Sequence, residues 1–335
     1  MGAKPIVILD PNFRKMEEIF SPTDLTHLQE IVEIIWGKNE PMPLETFKNA
    51  LPAADIVICG DWRYGDILKT ARKLRAIISV SGGFPRELDY SFCFKNNIRV
   101  LSVAPSFARQ VAEMALGMTL AASREIVIGD RAMRDGNEKW LHAGNKNTFL
   151  LYEKPVGFIG FGGIAQELLR LLQPFKVSIS VYDPWLSNRF LRNQNVIPTD
   201  LATLIKKSKV IYVLATPTLE NRHLLSREYL ELIQQDAILV LISRAHLVDF
   251  DSLTDLVGQG RFKAAIDVFP TEPLEADHPI RQAKYAVLSA HRAGSVKEGL
   301  WEIGQMVIDD LEMIVSDLPP QRLKRAEPEL IRRTF

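Results

Sequence analysis

Val156-Gly157-Phe158-Ile159-Gly160-Phe161-Gly162-Gly163-Ile164-Ala165, followed by Asp183, is the stretch that decides the fold. An apolar run enters a glycine-rich turn and the turn opens a helix. A second β-branched run, Val177–Tyr182, then ends on the acid. A strand, a G-x-G-x-x-A turn, a helix and an acid-tipped strand about 20 residues on make a dinucleotide-binding βαβ unit. Gly160 permits the tight turn, Gly162 lets the backbone approach a pyrophosphate, and Ala165 lets the helix pack on the strand. The helix N-terminus, at Gly163 and Ile164, offers open N–H groups and a positive dipole end to phosphates. As a ribose ligand, Asp183 would accept from both hydroxyls and repel a 2′-phosphate, which favours NAD over NADP. Arg189 and Arg192, a few residues further, keep NADP open.

The remaining chain is read outward from this unit. At 335 residues it suits two domains. Lys plus Arg (41) balances Asp plus Glu (41), which argues against nucleic acid or an anionic membrane held by bulk charge. No apolar run has the length of a transmembrane helix. The two cysteines, Cys59 and Cys93, form neither a disulfide framework nor a metal-binding spacing, so a cytoplasmic setting without a metal is expected. The start, Met1-Gly2-Ala3-Lys4-Pro5-Ile6, lacks a signal-peptide core, and Ile6 breaks the myristoylation pattern.

Before the glycine turn, Ile6–Leu9, Asp55–Cys59, Arg75–Val80 and Ile98–Ser102 read as buried parallel strands. Asp24–Trp36 and Asp66–Lys73 read as helices, with Asp24 and Asp66 as N-caps. A long helix is expected over Ser106–Glu125 and a second to Asp135, with a polar loop around Trp140. Val156–Ile159, Val177–Tyr182, Val210–Ala215, Ala237–Ile242, Ala264–Val268 and Ala286–Ser289 give six strands, a full dinucleotide-binding sheet. A last helix, Val296–Asp317, has no strand partner in that sheet and should return to the first unit. The expected fold is α/β, with two doubly wound parallel-sheet domains. A Rossmann domain over residues 106–294 is inserted into a flavodoxin-like substrate domain built from 1–105 and 295–335. The two long helices act as the hinge, and closure around substrate is expected.

Ligands of open α/β sheets bind at the carboxyl ends of strands. Three such ends deliver Arg244, Glu272 and His291, with Asp267 beside them. This set suits hydride transfer to a 2-keto acid. A permanent guanidinium holds the carboxylate and polarises the carbonyl. A histidine exchanges the proton of the alkoxide, and a neighbouring carboxylate favours its imidazolium. His27, His142, His223, His246 and His278 carry no such pattern and are read as surface or loop residues. Trp140 and Trp301 are read as interface or core aromatics.

The chain resembles the D-isomer-specific 2-hydroxyacid dehydrogenase family along nearly its whole length. Four motifs carry the likeness: Gly160–Ala165 with Tyr182-Asp183-Pro184, Ser243–Asp249, Ala265–Leu274 and Ser289–Ser295. Val111-Ala112-Glu113 and Pro217–Leu224 add to it. The resemblance implies Arg244 on the substrate carboxylate and carbonyl, His291 as acid/base and Glu272 as its partner. It implies Asp267 on the nicotinamide carboxamide, Asp183 on the adenosine ribose, and Thr216 and Pro217 beside the cofactor. It also implies substrate-binding backbone at Ser81, Gly82 and Gly83, and a homodimer paired through the cofactor domain.

The sequence departs from the family pattern at Ala245, where a glycine is usual, and a backbone with φ > 0 there would be strained. Phe84 and Arg86 replace a glycine and an aspartate of the substrate loop. Arg86 and Arg292 are therefore either contacts to a second substrate anion or surface charges. The leading function is an NAD(H)-dependent reductase of small 2-keto acids, with glyoxylate and hydroxypyruvate as candidate substrates. The alternatives are an NAD(H)-sensing co-repressor of the same fold and a dinucleotide-binding pseudo-enzyme. A formate or phosphite dehydrogenase is a related reading, of which the formate enzyme is disfavoured because its histidine pairs with Gln where this chain has Glu272.

Overall fold

The computed structural model describes residues 4–334; Met1, Gly2 and Ala3, part of the N-terminal pattern read above, and Phe335 lie outside the described residues. Among the described residues the strands in chain order are β1 Ile6–Asp10, β2 Glu33–Trp36, β3 Ile56–Cys59, β4 Ala76–Ser79, β5 Arg99–Ser102, β6 Pro155–Ile159, β7 Ser178–Tyr182, β8 Ile197–Pro198, β9 Val210–Val213, β10 Ile238–Leu241, β11 Lys263–Ile266, β12 Ala286–Leu288 and β13 Lys324–Arg325. The chain divides into two compact units. One runs to Phe107 and resumes at Ser295, and the other is Ala108–Gly294.

The first unit has a sheet of order β13-β5-β4-β3-β1-β2. Its five parallel strands follow the 2-1-3-4-5 order of a flavodoxin-like sheet, which changes direction between β1 and β3. Alternate residues of the strands serve two cores. Val7, Leu9, Ile56 and Ile58 meet Leu300, Ile303, Val307 and Leu311 of helix Lys297–Val315. Ile8, Val57 and Ile77 face Phe47, Trp62 and Tyr64 on the other side. Strands covered on both faces become continuous apolar runs, which is why these segments show no polar alternation.

The second unit has an all-parallel sheet of order β12-β11-β10-β9-β6-β7-β8. In the unit's own count this is 3-2-1-4-5-6-7 from the β8 edge, the doubly wound dinucleotide order with one added strand. Its direction changes between β6 and β9.

Several elements differ from the sequence expectation. The segment read as a helix over Asp24–Trp36 is a helix only over Pro22–Ile31, followed by β2. Its cap is Ser21, whose hydroxyl accepts from Asp24 N–H at 3.1 Å, with Pro22 at the first turn. Leu25, Leu28, Ile31 and Ile35 keep a helical spacing, but Ile34 and Ile35 pair with Val7 and Ile8 of β1. Asp66–Lys73 holds one 3₁₀ turn, Leu68–Thr70, and Asp66 caps nothing. The long helix begins at Ala108 after a 3₁₀ turn and ends at Ser123, before Glu125 turns left-handed (φ 52°). The edge strands β8 and β13, two residues each, were too short to show a period, and β13 is antiparallel.

Candidate functional site

Gly160 has φ +92°, and a Cβ there would lie 2.6 Å from Ala215 Cα, just past β9. The glycine is thus required twice, by backbone conformation and by close approach of the chain across the switch point. A Cβ on Gly162 would meet nothing within 4 Å, so the backbone there is approachable. In helix Gly163–Leu172 the first intrahelical bond runs from Gln166 N–H to Gly162 O. The N–H groups of Gly163, Ile164 and Ala165 are therefore the open donors of its first turn. Ala165 is fully buried.

Asp183, just past β7, is fixed to this turn. Its Oδ2 accepts from Phe161 N–H at 2.8 Å and its Oδ1 from Trp185 N–H at 2.9 Å. Each oxygen keeps a further lone pair, enough to accept from a vicinal diol. Thr216 and Pro217 follow β9, and their loop is braced. Thr216 O accepts from Asn221 Nδ2 at 2.8 Å, and Thr218 O lies 2.8 Å from His246 Nε2. His246, read as a loop residue, thus ties the loop after β9 to the one after β10. An open helix N-terminus, an anchored acid and an approachable glycine backbone fit a dinucleotide.

β10, β11 and β12 are register neighbours, so the segments that follow them share one edge. Arg244 is exposed beyond β10, its Nη1 donating to Ser243 O at 2.7 Å. Ala245 lies in a 3₁₀ turn and does not have positive φ, so the departure from glycine is absorbed without strain. The next helix, Phe250–Gly258, is capped by Asp249, whose carboxyl is held below the usual range by its hydrogen bond from the Ser252 hydroxyl.

Beyond β11 and β12 the carboxylates and the histidine come together. His291 Nδ1 lies 2.5 Å from Glu272 Oε2, while Glu272 Oε1 accepts from Phe269 N–H at 2.9 Å. With Nδ1–H donating to the carboxylate, Nε2 is the ring nitrogen left to exchange a proton. His291 sits at φ +51°, a costly conformation for a residue with a Cβ, and its loop is held by Asp267. Asp267 is 1% exposed. Its Oδ1 accepts from Arg292 N–H at 2.9 Å and its Oδ2 from Ala293 N–H at 3.2 Å, while its carbonyl accepts from His291 N–H at 2.8 Å. Sequence reasoning placed Asp267 near a cofactor but missed this tie, whose only signal was an acid closing a fully apolar strand. The hydroxyls of Ser243 and Ser289 flank Asp267 on either side of β11 and are buried without a hydrogen-bond partner among the described residues. Orphaned hydroxyls beside a buried carboxylate fit a polar amide such as a nicotinamide carboxamide.

The loop after β4 lies in the other unit and is described by itself. Ser79 and Ser81 hydroxyls are 2.8 Å apart, and Ser81 N–H and Gly83 N–H make only long bonds, 3.3 and 3.4 Å, to those hydroxyls. Gly82 N–H has no hydrogen-bond partner among the described residues. These are backbone donors ready for an anion. Arg86 and Arg292 are both solvent-exposed.

Among known proteins, residues 116–293 match the family described as D-isomer specific 2-hydroxyacid dehydrogenase, NAD binding domain. A solved structure described as a phosphoglycerate oxidoreductase from Rhizobium etli is 34% identical, with a TM-score of 0.85, covering 97% of this chain and 99% of that one. A glyoxylate reductase of Aeropyrum pernix is 26% identical over 323 residues, covering 94% of this chain and 96% of the relative. A D-3-phosphoglycerate dehydrogenase of Methanocaldococcus jannaschii is 26% identical over 321 residues, covering 91% of this chain, which spans 60% of that relative's length. Among the described residues no helix is long and apolar enough to cross a membrane.

Proposed function

The chain belongs to the D-isomer-specific 2-hydroxyacid dehydrogenase family, and on that premise we propose that it reduces a small 2-keto acid with NADH and catalyses the reverse oxidation. The observation that carries this reading is the His291–Glu272 pair at 2.5 Å, on a loop tied to the buried Asp267 beside a dinucleotide-binding turn. Arg244 would hold the substrate carboxylate and polarise the carbonyl. Ser81, Gly82 and Gly83 would offer backbone N–H groups to the carboxylate. Protonated His291 would give its Nε2 proton to the carbonyl oxygen as that oxygen gains charge. Glu272, accepting from Nδ1–H, would keep the ring oriented with Nε2 toward the reacting oxygen. Gly160, Gly162, Gly163 and Ile164 would cradle the pyrophosphate, with Asp183 on the ribose, Thr216 and Pro217 alongside, and Asp267 on the carboxamide. The bound nicotinamide supplies the hydride. Asp183 favours NAD over NADP.

The test is oxidation of NADH and NADPH against a panel of 2-keto acids, with Arg244→Ala and His291→Ala as controls. Each substitution is expected to cut kcat/KM at least about a hundredfold, roughly 3 kcal/mol of transition-state stabilisation. NADH binding without turnover of any keto acid would replace the enzyme reading with a sensor. Undiminished activity in Arg244→Ala would overturn the assigned roles.

A homodimer is part of the proposal. Ile126, Met133, Trp140, Leu141, Leu150 and Tyr152 are each at least half exposed within one short segment, a concentration typical of association surfaces. A monomeric mass by light scattering at micromolar concentration would remove it. A reducing, cytoplasmic setting is supported by Cys59 and Cys93, both buried as free thiols.

A further inference from the structure

In an open α/β sheet the ligand-binding place is the carboxyl edge at the switch point. In the first unit that point lies between β1 and β3, whose last residues, Asp10 and Cys59, are register partners. The chain leaving β1 folds over the end of β3 there. A Cβ on Gly60 would stand 2.0 Å from Asn12 O, so only glycine admits the crossing. A turn closed by Arg14 N–H to Pro11 O (2.8 Å) then carries Arg14 past β3 to the end of β4. Its Nε donates to Val80 O at 3.2 Å. Val80 immediately precedes Ser81, Gly82 and Gly83, the backbone donors described above.

The Arg14 guanidinium is half-buried, with the Phe13 and Phe107 ring centres 5.2 and 5.5 Å from Cζ. No carboxylate of a described residue lies within ion-pair distance of it. Burial pushes its pKa down, and the charge of Glu18 opposes this only in part. Nη1 and Nη2 make no hydrogen bond to a described residue. A partly desolvated cation with its donor fork unused is costly unless an anion completes it. The neighbouring arginines lack these properties. Arg63 is paired with the buried Asp10 and brings no net charge, and Arg86 stands in solvent.

Resting on the reductase reading above, we propose that Arg14 is a specificity residue of that site, binding a second anionic group, carboxylate or phosphate, carried by the substrate 2-keto acid. The Ser81–Gly83 backbone takes the carboxylate next to the keto group, and the Arg14 fork takes the anion at the other end.

The test uses the intact protein with NADH and two substrate pairs differing by one anion: hydroxypyruvate against phosphohydroxypyruvate, and pyruvate against oxaloacetate. Wild type is expected to favour the member with the second anionic group in at least one pair by about tenfold or more in kcat/KM, as expected of a hydrogen-bonded charge pair. Arg14→Gln should collapse that ratio through KM, Arg14→Lys should restore part of it, and Arg86→Gln should leave it intact. Equal use of both members of each pair overturns the assignment. So does an Arg14→Gln enzyme whose rates fall with the ratio unchanged, or a ratio that collapses in Arg86→Gln instead. If hydroxypyruvate is reduced without preference, only the Arg14 assignment falls. If no 2-keto acid oxidises NADH, the reductase reading falls with it.

Discussion

Gly160 and Gly60 both sit at the switch point of a unit, Gly160 after that unit's first strand and Gly60 after the strand across the switch from it. Each follows a strand that borders the switch point of its sheet, β6 beside β9 and β3 beside β1. In each the neighbouring chain fills the position of a Cβ, with Ala215 Cα at 2.6 Å and Asn12 O at 2.0 Å. What comes next differs. Gly160 leads within three residues into a helix whose first N–H groups are open. Gly60 leads into Asp61-Trp62-Arg63-Tyr64, where Trp62 and Tyr64 pack on Phe47 and no helix forms. The same close approach leads to an open helix N-terminus in one unit and, in the other, to a crossing that carries an arginine. A glycine at a switch point indicates contact between strand ends; the element after it decides what the contact does.

Substituting alanine at each glycine tests that distinction most severely. Gly60→Ala should cost about 3 kcal/mol of stability, because backbone rather than a flexible side chain must move. Gly160→Ala should cost about 4 kcal/mol, adding the strain of a left-handed alanine. The difference to be measured is in binding. NADH titrated by fluorescence should lose affinity in Gly160→Ala and keep it in Gly60→Ala. Equal loss in both would mean that the first unit's crossing supports the cofactor turn, and the contrast would be void.

The buried aspartates sharpen the same contrast at lower energy. Asp267 and Asp10 close strands in the two units, and each is 1% exposed. Asp267 uses both oxygens on backbone N–H groups of the His291 loop. Asp10 spends one on Arg63, Tyr64 and Met42 N–H, and its Oδ1 has no hydrogen-bond partner among the described residues. Asp267→Asn turns an amide NH₂ toward a backbone donor and should cost about 3 kcal/mol, with kcat falling at least about tenfold as the loop loosens. Asp10→Asn keeps an acceptor for Arg63, Tyr64 and Met42 but loses the ion pair to the partly exposed Arg63, and should cost about 2 kcal/mol with kcat retained. Urea melts and steady-state rates on the two variants decide it, and the reverse ranking would refute the contrast.

The legible parts of the molecule were those written in short stretches of chain. The glycine turn at Gly160–Ala165, the acid at Asp183 and the strands of both cores depend on residues a few positions apart. Arg244, Glu272 and His291 could be singled out as candidates because each follows a continuous apolar run. The illegible parts rest on contacts between distant residues. Nothing near Arg14 in sequence announces Gly60 or Val80, and nothing in Val32–Trp36 announces its pairing with β1. Leu25, Leu28 and Ile31 therefore extended a helix through Ile35 that the sheet edge claims. The Asp267 tie was hidden for the same reason, since its donors are 25 and 26 residues away.

The smallest effect separates the units by pH. Burial pushes the Cys93 thiol up to about 12 and the Cys59 thiol higher still, and raises the Tyr64 and Tyr90 phenols. All four lie in the first unit; the second holds no cysteine and a buried Tyr212 raised in the same way. A raised folded pKa means that the native state keeps a proton the unfolded chain gives up. The stabilisation is complete below the unfolded thiol value, about 8.5, and is lost as pH rises toward the folded one. By pH 9 each thiol should cost roughly 1 kcal/mol, whereas the tyrosines begin to matter only above about pH 10. Hydrogen exchange on the intact protein between pH 7.5 and 9.5, corrected for intrinsic rate, should show β3–β5 losing protection while β9–β11 retain it. Cys93→Ala should flatten that slope by about half. Loss of protection first in β9–β11 would place the alkaline weakness in the cofactor unit and contradict the assignment to the thiols.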